Sequence, residues 1–395
     1  MPYDIVCLSH LRWDGVYQRP QHLLSRLART RRVFVIEEPE DYDTAVPFLQ
    51  SVPSGTANVF VFRPRMRATY PFYVGEHIPV LSGLLQNLFE SEGISRYVVW
   101  LYTPMALPMV EGFTPLARVF DCMDELSAFR FAPVELLERD RATMRWADLV
   151  FTGGRSLYEA RRHHHTNIHC FPSSVDATHF GAALAESTPE PESQRGLPRP
   201  RLGFFGVIDE RMDYTILAAL AQAHPEWQIV MVGPFAKVRP DEVPQFLNLH
   251  YLGQQPYASL PGYLKGWDVT LIPFAQSAAT RFLSPTKVLE YMAAERPVVA
   301  TPLPDLLPYR SAVLLADDPQ AFVAACEQAL SASDAQRAAW TVEMRAQVAA
   351  TSWDITVDRM AALIDGLTRD AAVSPQVRQN SISREETDTL CIPNT

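Results

Sequence analysis

Short runs of apolar, largely β-branched and aromatic residues recur along this chain, and they constrain its fold more than any other feature. Because they are runs and not alternations of apolar and polar residues, both faces of each strand are expected to be buried, as in parallel sheets. Segments with helical periodicity lie between them, for example 18–32 and 132–147. The pattern predicts βαβ units in doubly wound, Rossmann-like α/β sheets. The runs of the first half are YDIVCL (3–8), RVFVIE (32–37), NVFVF (58–62), YVVWLY (97–102), ARVFDC (117–122) and DLVFTG (148–153).

The alternation stops at residues 181–200, GAALAESTPEPESQRGLPRP, which are rich in Pro, Ser and Glu and lack periodicity. Such a composition is typical of a linker. The alternation restarts at RLGFFGV (201–207), and a chain of 395 residues is too long for one core. We therefore predict an N-terminal Rossmann-like domain (1–180), the linker (181–200), a C-terminal Rossmann-like domain (201–352), a C-terminal helix that could cross back to the first domain (353–369), and a disordered tail (370–395).

Two facing doubly wound sheets would surround one cleft, because ligands bind at the carboxyl ends of their strands. This layout suits a two-substrate enzyme that closes on its ligands, and it equally suits a two-lobed binding protein.

Composition excludes several other classes of protein. The net charge of −10 argues against a nucleic-acid partner. The five cysteines are far apart and form no C-x-x-C, so neither a disulfide framework nor a zinc site is expected. No apolar stretch is long enough for a spanning helix, and the N-terminus lacks the pattern of a signal peptide. We expect a cytoplasmic protein.

Several motifs occur in a recognisable order and together resemble the GT-B glycosyltransferases. They resemble in particular the family-4-like group, of the "glycosyltransferase family 1" type, which acts in bacterial cell-surface polysaccharide biosynthesis. The resemblance covers about residues 3–368 and implies transfer of a sugar from a nucleotide-diphosphate sugar to a saccharide or lipid-linked acceptor, with retention of anomeric configuration. The motifs include WDGVYQRPQHLLSRLA (13–28), VFDCMDELSAF (119–129), FPSSVDATHF (171–180), GFFGVIDERMDY (203–214) and SPTKVLEYMAAERPVVAT (284–301).

The segment SPTKVLEYMAAERPVV contains the strongest candidate site. Pro285 suits the start of a helix, and free N–H groups at such a start can bind a diphosphate. Lys287 lies in the first turn, where the helix dipole disfavours a cation, so its placement calls for a compensating anion. Glu290 falls one turn later on the same face. The resemblance implies that Glu290 accepts hydrogen bonds from the nucleotide ribose; the alternative is a surface ion pair with Lys287.

The same region departs from the resembled family in one respect. Family-4-like enzymes often carry two acids in an E-x7-E pattern, and the position of the first acid here is Phe282. The loop instead offers Thr280 and Ser284 as donor-site candidates. The missing acid puts the donor-sugar contact and the stereochemical outcome in question.

Two further loops follow predicted strands and supply candidates for the donor and acceptor sites. Gly206 allows a phosphate to approach the backbone closely, and the resemblance implies that Arg211 neutralises the donor diphosphate. In the first half, Asp14 and Gly15 form a tight turn. The resemblance places Gly15 against the donor, Asp14 is an acceptor-side candidate, and Arg19 is a candidate ligand for acceptor or phosphate.

Asp124 follows another strand and is the candidate that would position or deprotonate an acceptor hydroxyl. The alternative is a helix cap or an ion pair with an arginine such as Arg130.

No metal or other cofactor is expected, because no D-x-D motif occurs and the consecutive histidines 163–165 do not form a chelating face. The basic run RLARTRR (26–32) would either make weak peripheral contact with anionic lipid at the inner face of the membrane or form a solvated helix face. Two other functions remain open at this stage. They are a sugar-nucleotide epimerase, which converts the donor alone, and a non-catalytic nucleotide-sugar-binding scaffold.

Overall fold

The computed structural model describes residues 3–68 and 73–373, with side chains up to residue 369. Most of the tail predicted at 370–395 therefore lies outside the described residues. The strands of the first sheet are β1 Asp4–Ser9, β2 Val33–Glu37, β3 Glu40–Asp41, β4 Phe48–Val52, β5 Val59–Met66, β6 Tyr97–Leu101, β7 Ala117–Cys122, β8 Leu149–Thr152 and β9 Ile168–Cys170. Those of the second are β10 Arg201–Phe205, β11 Gln228–Val232, β12 Leu249–Tyr251, β13 Val269–Ile272, β14 Val298–Ala300 and β15 Val313–Leu315.

The helices lie between these strands and cover the sheet faces. Those of the first half are α1 Arg19–Leu27, α2 Ile78–Glu92, α3 Leu107–Val110, α4 Leu136–Trp146, α5 Arg155–Arg161 and α6 Ala177–Gly181. The remaining ones are α7 Glu192–Arg195, α8 Tyr214–Ala223, α9 Leu260–Gly266, α10 Lys287–Ala293, α11 Pro319–Ser331, α12 Asp334–Ala349 and α13 Trp353–Val373.

The strand order confirms the predicted fold class. The first sheet runs β3-β5-β2-β1-β6-β7-β8-β9, with β4 antiparallel on β5, and the second runs β12-β11-β10-β13-β14-β15 with parallel pairings. In each sheet the order reverses beside the first strand, β1 or β10. Such switch points open a crevice at the carboxyl ends of the strands, where α/β proteins bind ligands.

The core of the first half is completed by α13, the last described helix. Trp353, Val357, Met360 and Ile364 are buried in the same apolar cluster as the strand residues of the first sheet, such as Val98. The chain thus passes through the second half and returns to the first.

Three arginines of the basic run 26–32 pair with acids of α13. Arg26 pairs with Asp354 at 3.1 Å, Arg29 pairs with the same carboxylate, and Arg31 reaches Asp365 at 3.5 Å. Both acids lie on α13, so these arginines hold that helix. The sequence did not predict this intramolecular role; the Arg29 side chain is still 62% exposed, and the lipid contact considered for the run stays a prediction.

The segment 181–200 is not a free tether. The amide of Gln194 is buried, donates to the carbonyl of Tyr263 at 3.0 Å and accepts the indole N–H of Trp267 at 2.9 Å. Lys265 donates to the carbonyls of Glu186 and Thr188. The connection is therefore fixed to α9 of the second half.

Within the described residues, no helix combines the length and the apolar character that a membrane crossing requires.

Candidate functional site

A cavity of about 580 Å³ lies between the two sheets, against the loops that leave their carboxyl ends. It is bordered by loops that follow β1, β7, β10, β11 and β12 and by the start of α10. All the predicted site residues except Thr280 line it, namely Asp14, Gly15, Arg19, Asp124, Gly206, Arg211, Ser284, Pro285, Lys287 and Glu290. Residues nearly 280 positions apart in sequence therefore share one site.

Lys287 enters this cavity across the face of Gly206. A Cβ at Gly206 would overlap Cε of Lys287, and the φ of +138° also disfavours a side chain there. The Nζ atom lies 5.4 Å from the ring centre of Phe204 and 5.8 Å from that of Phe274. Burial lowers the pKa of Lys287, while Glu290 opposes this effect. Among the described residues, the ammonium has no hydrogen-bond or ion-pair partner.

Glu290 lies one turn further along α10 and is 6% exposed. Burial raises the pKa of its carboxyl group, and the ammonium of Lys287 works against that rise. Its carboxylate also lacks a hydrogen-bond partner within the described part of the chain. The surface ion pair considered from the sequence is therefore not formed. The ammonium of Lys287 and the carboxylate of Glu290 are instead both buried without a bond between them, although burial of an unpaired charge costs free energy.

The turn before α10 leaves few free amides. The N–H of Val288 bonds to the carbonyl of Pro285, and the N–H of Glu290 bonds to the carbonyl of Thr286. The helix has only seven residues. The ammonium of Lys287 is therefore a stronger attractor for an anion here than the helix N-terminus.

Arg211 is held by an acid that sequence reasoning missed. Its Nε lies 2.9 and 3.0 Å from the two carboxylate oxygens of Asp209, and one terminal nitrogen is 2.7 Å away. The guanidinium is thus fixed in direction and partly neutralised. The i, i+2 spacing in IDER was the available signal, but it equally fits an exposed pair.

Asp124 has the environment of an acid–base group. Burial raises its pKa to about 6, although Arg211 and Arg19 favour the charged form. No hydrogen bond or ion pair engages its carboxylate within the described residues. The predicted alternative, an ion pair with Arg130, is not formed, because the guanidinium of Arg130 lies over Phe131.

Arg19 lines the cavity, but its guanidinium is committed elsewhere. It is 3% exposed, bonds to both carboxylate oxygens of Asp121 and donates to the carbonyl of Phe171 at 2.8 Å. These bonds tie α1 to β7 and leave little capacity for a ligand. Asp14 pairs with Arg63 at 2.9 Å and is half exposed, whereas the N–H of Gly15 closes its turn on the carbonyl of Arg12.

Thr280 is not part of this cavity. It is fully buried, and its hydroxyl contacts the carbonyl of Ala275 and the N–H of Ser277. These bonds shape the loop, and the residue borders a neighbouring crevice formed with Glu125 and Pro304. A donor contact through its hydroxyl would require breaking the loop.

Two aromatic residues of the site carried no sequence signal. Tyr17 of the first half and Tyr257 of the second stack with ring centres 4.3 Å apart at the edge of the cavity. Their contact spans the cleft, so only the tertiary structure reveals it.

No group of three or more histidines, cysteines or acids suited to a metal occurs in the residues that the structure describes. The expectation that no metal is needed stays a prediction.

Comparisons with known proteins agree with this architecture. Residues 199–332 match the family model "Glycosyl transferases group 1". The Bacillus subtilis (strain 168) protein TuaH, which is named as a teichuronic acid biosynthesis glycosyltransferase, is 29% identical over 288 residues, or 67% of this chain and 70% of TuaH.

Solved structures show the same fold at low sequence identity. Sucrose-phosphate synthase from Thermosynechococcus elongatus has a TM-score of 0.71 at 16% identity, over 93% of this chain and 100% of that one. A trehalose-6-phosphate structure from E. coli with bound UDP-2-fluoro glucose has a TM-score of 0.66 at 14% identity, over 92% and 99%. The GT-B architecture expected from the sequence is confirmed.

Proposed function

We propose that the chain is a glycosyltransferase that uses a nucleotide-diphosphate sugar as donor, because it has the GT-B fold and its residues 199–332 match the group 1 glycosyl transferase model. The acceptor is a saccharide or a lipid-linked saccharide of cell-surface polysaccharide synthesis, by analogy with the role named for TuaH. The observation that carries the proposal is the unpartnered, buried pair of charges on α10, Lys287 and Glu290, which face the cavity.

The donor occupies the second half. Lys287 faces the diphosphate, and the absence of a side chain at Gly206 leaves room for the lysine to lie there. Glu290 accepts the ribose hydroxyls, which satisfies a carboxylate that otherwise has no partner. Arg211, held in place by Asp209, lies beside the same space.

Negative charge on the diphosphate grows as the glycosidic bond breaks. Fixed cations at Lys287 and Arg211 stabilise that charge without reorganising, which is the most effective form of electrostatic catalysis. Asp124, with its pKa raised to about 6, is ionised at neutral pH and is still basic enough to accept a proton from the acceptor hydroxyl. No step in this scheme requires a metal ion.

Retention of configuration is part of the proposal and rests on the family resemblance. It is tested by the anomeric proton coupling of the first-formed product in NMR. Release of the inverted anomer would overturn it.

The acceptor side of the proposal includes peripheral contact with the cytoplasmic face of the membrane. Arg26, Arg29 and Arg31 pair with acids of α13, so we place the membrane contact on an exposed apolar surface instead. Phe131, Val134 and Leu137, which are 69%, 93% and 50% exposed, follow the loop of Asp124. Co-sedimentation with anionic vesicles tests this; wild-type protein should pellet and Val134→Glu should not. Equal recovery of both proteins in the supernatant would refute it.

A thermal-shift screen against a panel of nucleotide-diphosphate sugars tests the donor. A ligand present at 100 times its dissociation constant stabilises by about 2.7 kcal/mol, which is a clear melting shift. At least one donor should stabilise the wild type and stabilise Glu290→Gln less, because the contact with the ribose hydroxyls is weakened. A panel with no effect on the wild type would overturn the proposed function.

A further inference from the structure

Ser173 belongs to the first half but contacts the turn that precedes α10 in the second. It follows β9 and lines the cavity. Its Oγ donates to the carbonyl of Ser284 at 3.1 Å and accepts a hydrogen bond from Oγ1 of Thr286 at 3.0 Å. One hydroxyl therefore spans both ends of the Ser284–Thr286 turn.

The role of Thr286 makes this contact informative. Threonine at the start of a helix ordinarily bonds to the N–H groups of the first turn. Here Thr286 holds the cap position of α10, yet its side chain caps nothing and instead reaches across the cleft to Ser173. The helix forgoes a local stabilising bond, and its N-terminal turn is fixed from the other half.

A second contact supports the same turn. A Cβ added at Gly154 of the first half would come within 2.9 Å of Cβ of Ser284. The adjacent backbone N–H groups of Arg155 and Ser156 donate to the carboxylate of Asp305 at 3.0 and 2.9 Å. The start of α5 therefore lies close against the second half, beside Ser173.

We propose that Ser173 is a positioning residue for the donor site. By holding the Ser284–Thr286 turn, it fixes the orientation of α10 and therefore the positions of the Lys287 and Glu290 side chains in the cavity. The donor site in the second half then reaches its full affinity only when the first half is in contact with it. This inference rests on the proposed function, because it presumes that the donor nucleotide occupies this cavity.

Ser173→Ala is the decisive variant, and the chain offers a matched control next to it. Ser174 is also buried, and its Oγ lies 2.8 Å from Oγ1 of Thr351, away from α10. Calorimetric titration with UDP and with GDP should give a dissociation constant about fivefold higher for Ser173→Ala, the effect of one neutral hydrogen bond. Ser174→Ala should bind as the wild type does.

A double-mutant cycle separates positioning from a general loss of structure. Thr286→Val keeps the shape of the side chain and removes its bond to Ser173. The double variant Ser173→Ala/Thr286→Val should bind no more weakly than the weaker of the two single variants, since both remove one shared interaction. Additive losses, or a Ser173→Ala protein that binds as tightly as wild type, would overturn the inference. Wild-type protein that binds neither nucleotide would instead count against the proposed function for sugar donors built on uridine or guanosine diphosphate.

Discussion

Replacing both buried charges of α10 with neutral side chains of similar size should stabilise the ligand-free protein and weaken donor binding about tenfold or more. The variant is Lys287→Met combined with Glu290→Gln. Neither charged group has a hydrogen-bond partner in the described residues, and burial shifts the pKa of each towards its neutral form. Exchanging buried charges for well-packed hydrophobic residues of similar volume gains about 1–4 kcal/mol in favourable cases, and the amide introduced at position 290 reduces this gain. We expect a gain at the lower end of that range.

The single variants should behave differently from the double variant. Each leaves the opposite charge uncompensated in the same buried region, so both should be less stable than the double variant.

Lys287→Met should lower kcat about 10²- to 10³-fold with a smaller rise in donor KM, because the cation acts mainly on the departing diphosphate. Lys287→Arg need not restore turnover, since a planar fork replaces a compact charge. Glu290→Gln should weaken donor binding about tenfold or more.

The assay combines urea unfolding without ligand and steady-state turnover with the donor found by the thermal screen. In the double variant the free energy of unfolding should rise while turnover falls. A double variant that is less stable than wild type, or that the donor stabilises as much as it stabilises wild type, would refute this account of α10.

Four further outcomes are expected. Turnover should fall about tenfold per pH unit below about pH 6, because Asp124 with its raised pKa must be ionised to act as a base; the same acid limb in a pH profile of Asp124→Asn would contradict this. Asp121→Asn should lose about 3–5 kcal/mol in urea unfolding, because Arg19 is left buried without its partner; a loss under about 1 kcal/mol would contradict it. Trp353→Ala should lose about 3–5 kcal/mol in the same assay, because its ring stacks on His22 and anchors α13; unchanged stability would show that α13 is not anchored there. Turnover should be unaffected by a chelator; loss with EDTA and rescue by Mg²⁺ or Mn²⁺ would show that a metal is needed.

The sheets and the location of the site were predictable from local sequence. Buried parallel strands appear as apolar runs, and residues just after such runs must lie at the carboxyl edge of a sheet. That rule is why Gly15, Asp124 and Gly206, which follow three different strands, line one cavity.

Partners that are distant in sequence were not predictable. Arg29 and Asp354 are 325 positions apart, and Arg19 and Asp121 are 102 apart, so no spacing rule connects them. A basic helix face has the same sequence pattern whether it meets water, lipid or an acidic helix. Thr280 shows a different limit of the sequence. Its hydroxyl was predicted to contact the donor, but it bonds to the backbone of its own loop, and local sequence does not distinguish these two roles.

Calorimetric titration of a nucleoside diphosphate at mildly alkaline pH, in buffers of different ionisation enthalpy, tests the central claim most directly. Burial lowers the pKa of Lys287 in the free protein, so part of the population is neutral under these conditions, whereas Glu290 and Asp124 are ionised. A diphosphate bound beside Lys287 raises that pKa, so binding should take up protons, and Lys287→Met should lose the uptake. Binding without proton uptake, or with equal uptake in Lys287→Met, would place the diphosphate elsewhere.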